Sequence, residues 1–599
     1  MKFQKETLIL FINVIISFYL GFLLWDKIEF KFYDPGIVGI YSENQHNSFN
    51  DIARYIIFIS LPLMSYLLTK IYFGEKIFNK LKIFFSNRNF FNSENKSKSL
   101  IIFFTVLFLL ILEFLSISFP DYKIDTFHDG QKLSSAYKSF LDGSLWSGSF
   151  VTIGIFFETL SSKFIWNIFD QVSIGLMRYT EIILILSVKI SLIIFIYLLT
   201  NFLNLNTFYK NIFFVLNAFL LNLLINYIPG IDLISFRELP IIILSILFLI
   251  LIKNNNNLFI LLLTSLLSTS SLLWGIDRGV VCNLLITFIL IHLVLIGEFK
   301  KTLLFLFFIF LSWIIFFIIT NDEFFYFFEN TLIILNEMNY IHGLIHPKPF
   351  TDEPHSIRAT KTLLLIVIIT LISLSIILKE NKDYSIHLKR ILFFLSLVSI
   401  LSYLYALGRS DGGHIKNSFG YPLIFLTIYL SYNLLLIVSE KKIRYFNFSL
   451  FFVFPLMIFF TFQIDLKNIS SYEYRFNKFI KLEDDFFLSQ KESFLVNELK
   501  SKVNNYDCIQ LLSNDAALYY LLKKKSCTKY YYVWNSISLN TQKKFISELK
   551  NTKIIIEGGP KNNWDYPLEK KLFLVYENVD ENFYLYRNIG DWRVYLRQE

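Results

Sequence analysis

Lys123-Ile124-Asp125-Thr126-Phe127-His128-Asp129-Gly130-Gln131 follows a hydrophobic run that ends near Phe119. The stretch sets two carboxylates, Asp125 and Asp129, and the imidazole of His128 at the point where an apolar segment leaves a bilayer. Ionisable groups at membrane depth are expensive and face a cavity or a partner. The rest of the chain is organised around that position.

The chain has 599 residues, of which 54% are hydrophobic, 18% aromatic and 18% charged. Soluble domains carry fewer apolar and more charged residues. Apolar runs near the length that crosses a hydrocarbon core recur throughout. Thirteen spans are expected, near 7–25, 52–72, 99–119, 179–200, 211–228, 239–252, 258–275, 281–297, 302–320, 362–378, 391–408, 421–438 and 447–463. The fold class is a polytopic α-helical membrane protein. The run from Thr7 to Trp25 lacks a small-residue cleavage site and reads as an uncleaved first span. The net charge of +9 does not argue for nucleic acid, because much of the Lys and Arg lies in short loops between spans.

Lys2 and Lys5, Lys76 to Arg88, Lys300 and Lys301, Lys379 to Arg390, and Lys441 to Arg444 fall on one set of alternate loops. The positive-inside rule makes that set and the N-terminus cytoplasmic. The opposite set holds 120–178, 229–238, 276–280, 321–361 and 409–420. The unusual charges concentrate there, which argues for one polar site at the outer face.

Within the loop 120–178, Leu133, Ala136, Tyr137 and Phe140 recur at helical spacing up to Asp142-Gly143. A second amphipathic segment runs from Ile155 to Phe169. Both are expected to lie along the membrane surface. Beyond Asp465 polar residues rise and the apolar runs shorten. Strands are expected at Cys508–Leu512, Lys529–Val533 and Lys553–Ile556, a helix at Asp515–Lys524, and a hairpin of Glu581–Tyr586 with Trp592–Leu596. This is a small extracytoplasmic α/β domain.

Asp125 or Asp129, with His128, suits a general base near an acceptor hydroxyl. Alternatively, the two carboxylates hold a divalent cation such as Mg or Mn through hard oxygen ligands, and the sequence leaves metal dependence open. Asp129 also reads as the cap of a helix beginning near Gln131. Arg237, Arg278 and Arg409 are candidates for phosphate contact, because the guanidinium fork matches phosphate oxygens. Asp277, beside Arg278, is a candidate partner. Arg409-Ser-Asp411-Gly-Gly-His414 gathers three polar side chains where a span exits. His342-Gly-Leu-Ile-His346 reads as a plain interfacial loop. Of three cysteines, Cys282 falls within a span, while Cys508 and Cys527 bracket a strand and helix. A disulfide between those two is expected in an oxidising compartment.

The order of features resembles the GT-C superfamily of polyprenyl-phosphate-sugar-dependent membrane glycosyltransferases. The matching motif is Asp125-Thr-Phe-His-Asp129-Gly-Gln, followed by a helix and by Gly143-Ser-Leu-Trp146. The resemblance covers roughly 99–599 and is one of architecture and one short motif. It implies transfer of a sugar from a lipid-phosphate donor to a glycan, lipid or protein acceptor. It also implies an acidic first-loop residue as base, basic residues at the departing phosphate, and a place in a bacterial inner membrane with the C-terminal domain periplasmic. In that superfamily the acidic loop follows the first span, and here it follows the third. The expected organisation is therefore an added two-span unit with a basic linker (1–98), a catalytic membrane core (99–463) and an α/β domain (464–599).

Two other functions compete. An O-antigen polymerase or ligase also uses lipid-linked sugars, but its large outer loop lies late among the spans. A lipid or polysaccharide flippase calls for broken mid-membrane helices and two related halves, and neither is visible.

Overall fold

Long apolar runs dominate the molecule as helices. The computed structural model describes residues 2–86, 100–227, 233–253, 257–379, 383–441, 461–561 and 567–598. Among the described residues, 8 helices are long and apolar enough to cross a membrane, with two shorter apolar helices at Leu100–Ser116 and Leu258–Trp274. Every expected span from 7–25 through 421–438 overlaps a helix, although the helix in 211–228 ends at Asn222 and 391–408 is split between Ile386–Ser402 and Leu404–Gly408. The last expected span, 447–463, lies mostly outside the described residues, as does part of the linker 73–98. Some of the helices start where short polar side chains satisfy free N–H groups. Ser173 accepts from the Leu176 N–H and Asn206 from that of Tyr209.

Lys189, which interrupts the apolar run of 179–200, has an internal partner. Its Nζ lies 3.0 Å from Glu113 Oε1, and the two side chains are 2% and 8% exposed. Asn222 Nδ2 donates to the other Glu113 oxygen at 3.3 Å. Pairing and hydrogen bonding offset the cost of placing both charges between helices.

The helices Lys2–Trp25 and Phe49–Tyr72 pack on each other, and the second also packs on Ser356–Leu378. Trp25, Tyr55 and Phe58 join Ala359, Leu363 and Tyr403 in one apolar cluster there. At one end of that seam the Asp51 carboxylate is fully buried. It accepts from Tyr41 Oη at 3.1 Å and from the His346 N–H at 3.3 Å.

The C-terminal region forms a five-stranded sheet in the order β2-β1-β3-β5-β4. Its strands are β1 (Cys508–Leu512), β2 (Lys525–Ser526), β3 (Ile554–Gly558), β4 (Phe583–Ile589) and β5 (Trp592–Arg597). β1 runs parallel to β2 and β3, while β5 is antiparallel to β3 and β4. Gly590, at φ +56°, makes the tight turn between β4 and β5. Cys508 and Cys527 are joined, with their Cα atoms 5.0 Å apart. The expected strand at Lys529–Val533 is absent. Those residues are held by single bonds to the loop 120–178, such as the Phe150 N–H on the Lys529 carbonyl at 2.8 Å, rather than by a ladder.

This domain and the loop 120–178 share one hydrophobic core. Ile124, Phe127, Leu133 and Trp166 pack with Phe487, Leu511, Tyr520 and Trp534. The first amphipathic segment is the helix His128–Asp142, and its apolar face packs against the sheet domain. At Gly130 the fit is closest, because a Cβ there would lie 2.3 Å from the Ala517 backbone nitrogen.

Candidate active site

The sheet domain pins the acidic stretch in place. The Ala517 N–H donates to the Thr126 carbonyl at 3.0 Å. Ser134 Oγ donates to the Ala516 carbonyl at 2.6 Å, and Thr126 Oγ1 donates to Asp515. Two elements distant in sequence thus fix the backbone on which Asp125 and His128 stand.

The two aspartates of this stretch take different partners. Asp129 lies in the first turn of the helix His128–Asp142 and pairs with Arg178 at 3.1 Å. Arg178 also donates to the carbonyls of Pro120, Tyr122 and Lys123, so it clamps the entry of the loop. Asp125 supplies the acceptor at the helix start, a place the sequence suggested for Asp129. Its Oδ1 receives the N–H groups of Phe127 at 3.0 Å and His128 at 3.4 Å. The other Asp125 oxygen lies 2.7 Å from His128 Nδ1. The helix begins at His128, earlier than expected, and Asp125 is the residue placed to receive its free N–H groups. Burial raises the Asp125 carboxyl, but His128, the Phe127 N–H and Lys561 outweigh it and hold the group well below the usual carboxylate range.

A cavity of about 740 Å³ opens beside this stretch. His128, Gln131 and Lys132 line it from the loop helix, and Arg237 and Asp277 from two further helix starts. Arg409, Asp411 and His414 line it from the 409–414 turn. Six of the candidate residues therefore meet: His128, Arg237, Asp277, Arg409, Asp411 and His414. Asp125, Asp129 and Arg278 are not on its wall. Asp125 reaches it through His128. Arg278 is 2% exposed and stands behind the wall, held by Glu238 at 2.5 Å and Asp277 at 3.0 Å with its guanidinium 3.9 Å over the Tyr405 ring.

Each arginine on the wall is braced. Arg237 pairs with Asp277 at 2.9 Å and donates to Tyr405 Oη at 3.3 Å. Arg409 pairs with Asp411 at 2.8 Å and donates to the His342 carbonyl at 3.4 Å. Asp411 also receives the N–H groups of Gly413 and His414, both at 2.9 Å, and lies 2.7 Å from His414 Nδ1. Burial raises the Asp411 carboxyl, yet His414 and Arg409 hold it well below the ordinary value.

Several lining residues were not expected at the site from the sequence. Tyr532 and Trp534 come from the sheet domain, and Asn339 and His342 from the helix Glu323–His342. Trp534 Nε1 donates to His342 Nδ1 at 2.7 Å. Burial, with Arg409 and Lys571 nearby, holds His342 neutral, well below its ordinary value. His342 therefore belongs to the cavity, whereas the sequence suggested a plain loop. His346 turns away and meets Tyr403 Oη at 2.8 Å. Behind the wall, Glu158 is fully buried. It accepts from the Thr152 N–H at 2.8 Å and from Tyr531 Oη at 2.7 Å, tying the loop to the sheet domain once more. Ile276, Val280, Val281, Ile334, Leu335 and Met338 make one side of the cavity apolar.

As they stand, the first-loop carboxylates do not converge on a cation, since Asp129 is engaged by Arg178 and Asp125 by His128. Among the described residues no group of three or more His, Cys, Asp or Glu is arranged to hold a metal ion.

No family model and no curated protein matches the chain. Among solved structures, it is similar to ArnT from Cupriavidus metallidurans bound to undecaprenyl phosphate, at 10% identity and TM-score 0.43, over 83% of this chain and 97% of that one. It is also similar to the archaeal oligosaccharyltransferase AglB from Archaeoglobus fulgidus in complex with an inhibitory peptide and a dolichol-phosphate, at 10% identity and TM-score 0.36, over 84% of this chain and 74% of that one. Identity and TM-scores are low, so residue roles rest on this chain's own geometry.

Proposed function

We propose that the protein is an integral membrane glycosyltransferase of the GT-C kind, moving a sugar from a polyprenyl-phosphate-linked donor to a glycan, lipid or protein acceptor. The single observation that carries this reading is the cavity itself. One space joins a carboxylate-backed imidazole, two braced arginines and an apolar side. Those are the parts a lipid-phosphate sugar needs: a proton acceptor, cations for the leaving phosphate, and a lining for the first isoprene units. The distribution of lysine and arginine between alternate loops supports an outer-face cavity, and the GT-C resemblance implies a bacterial inner membrane with the sheet domain in the periplasm.

In this reading the Asp125–His128 pair takes the acceptor proton. The acceptor oxygen attacks the anomeric carbon, and the bond from that carbon to the phosphate oxygen breaks. The electron pair leaves on the phosphate, where Arg237 and Arg409 stabilise the charge. Placement of the two substrates and preorganised charge supply most of the acceleration.

The test uses purified protein in nanodiscs with a panel of radiolabelled decaprenyl-phosphate-linked hexoses, aminosugars and pentoses and a membrane extract as acceptor source. Label is expected to leave one donor with stoichiometric release of decaprenyl phosphate. If no donor loses its label, while sealed proteoliposomes carry one of them intact across the bilayer, the protein is a transporter.

A further inference from the structure

Two Asp-x-x-His units face the same cavity. Asp125-Thr-Phe-His128 and Asp411-Gly-Gly-His414 are built alike. In each, one Asp oxygen accepts the N–H groups of the second and third residues onward. In each, an Asp oxygen lies 2.7 Å from the His Nδ1. A carboxylate only accepts, so the ring proton sits on Nδ1 and Nε2 is the atom for chemistry.

Their surroundings differ. The Asp125 and His128 side chains are 41% and 62% exposed, and Asp125 also pairs with Lys561 at 3.9 Å. The Asp411 and His414 side chains are 28% and 27% exposed. Arg409 shares Asp411 with His414, and Tyr405 links His414, at 4.6 Å between rings, to Arg237, at 3.3 Å. A recessed imidazole between two guanidiniums suits a phosphate. An open imidazole backed by a carboxylate suits an incoming hydroxyl.

We infer that the two units divide the reaction: His414, with Arg409 and Arg237, is the phosphate-binding unit, and His128, with Asp125, is the acceptor-activating unit. This rests on the glycosyltransferase reading above. As the acceptor oxygen bonds to the anomeric carbon, its proton passes to His128 Nε2. The carbon–oxygen bond to the phosphate breaks, and the departing oxygen keeps the electron pair. The product phosphate monoester takes up one proton from water, matching the one that His128 Nε2 returns to water, and His414 Nε2 and a phosphate oxygen share it. The sugar changes partners and no other reactant is needed.

The experiment measures decaprenyl phosphate binding and sugar transfer on the same nanodisc preparations of wild type, His128→Gln, His414→Gln and Arg409→Lys. His414→Gln and Arg409→Lys are expected to weaken decaprenyl phosphate binding about 10-fold or more, the loss of one charge-assisted hydrogen bond. His128→Gln is expected to leave that binding unchanged and to lower transfer by about 10²–10⁴-fold. The exposed position of His128 makes that variant safe for folding, and Arg409→Lys keeps the charge where His414→Gln disturbs the turn. Equal loss of binding in the His128 and His414 variants, or unchanged binding in both, overturns the division while leaving glycosyl transfer standing. If wild type neither binds decaprenyl phosphate nor transfers sugar, the glycosyltransferase reading fails and the division falls with it.

Discussion

Asp125 and Asp129 stand on one loop and live in opposite surroundings. The Asp129 side chain is 14% exposed and faces an Arg178 side chain that is 1% exposed, at 3.1 Å. Asp125 is 41% exposed and faces a histidine that is 62% exposed. On the mechanism proposed above, the difference separates a structural carboxylate from a reactive one. A buried pair whose arginine also holds three carbonyls fixes a backbone, and its charge has nowhere to go. A half-exposed carboxylate on an imidazole beside a cavity has a route to substrate.

The sharpest way to break this contrast is Asp125→Asn. Transfer is expected to fall by about 10²–10⁴-fold, equivalent to about 3–5 kcal/mol in barrier, with unfolding temperature and expression unchanged. Kinetic assay beside a thermal melt checks this; full activity in the variant sinks the Asp125 assignment. The same carboxylate gives a pH test. Partial burial raises the Asp125 carboxyl, but His128 holds it well below the usual range. A carboxylate depressed in this way stays ionised until the pH falls through its lowered value. Wild type assayed down to about pH 5 keeps Asp125 ionised, so a fall in transfer over that range belongs to the imidazole that takes the proton and not to the carboxylate.

Arg178→Met comes next. It strands Asp129 and frees three carbonyls, at a cost of about 3–5 kcal/mol in stability, read by thermal unfolding. Transfer lost in proportion to folded protein fits the structural role, whereas a stable but inactive variant moves Arg178 into the reaction. Asp129→Asn is expected to be milder, about 1–3 kcal/mol, because the carbonyls still hold Arg178. It should keep most activity per folded molecule, and an Asp129→Asn enzyme as dead as Asp125→Asn would reverse the assignment. Trp534→Phe should have the smallest effect. It removes one hydrogen bond to His342 at about 0.5–1.5 kcal/mol, and a melt resolves it from zero.

Much of this arrangement was legible in the chain. Apolar runs marked the spans, and turn residues at Gly590-Asp591 marked the closing hairpin. The unusual charges at 125–129, 237, 277 and 409–414 gathered on one set of loops, and most of them do line one cavity. The sequence leaned toward Asp125 as the base by taking Asp129 for the helix cap, but the partner that sets Asp129 apart was not legible, because Arg178 lies far along the chain and only folding brings it to Asp129. Local capping logic favoured Asp129 as the helix cap, but the helix begins at His128 and Asp125 receives its N–H groups. Tyr532 and Trp534 carried no signal, since aromatic residues in a buried strand-like stretch read as core. His342 was masked by the glycine after it. The Asp-x-x-His spacing recurs in the chain, and only the geometry shows that two such units face one cavity.

The sequence by itself determined that the chain crosses a membrane many times, that its polar chemistry collects on one face, and that a small sheet domain closes it. Those follow from hydrophobicity and local turn chemistry, which act over a few residues. The tertiary structure alone decided which charges face the cavity and which are spent as struts. It also decided that the sheet domain supplies part of the wall. Those outcomes depend on pairing between side chains hundreds of residues apart, such as Thr126 with Asp515 and Trp534 with His342. A buried charge takes whichever partner the packing leaves within reach.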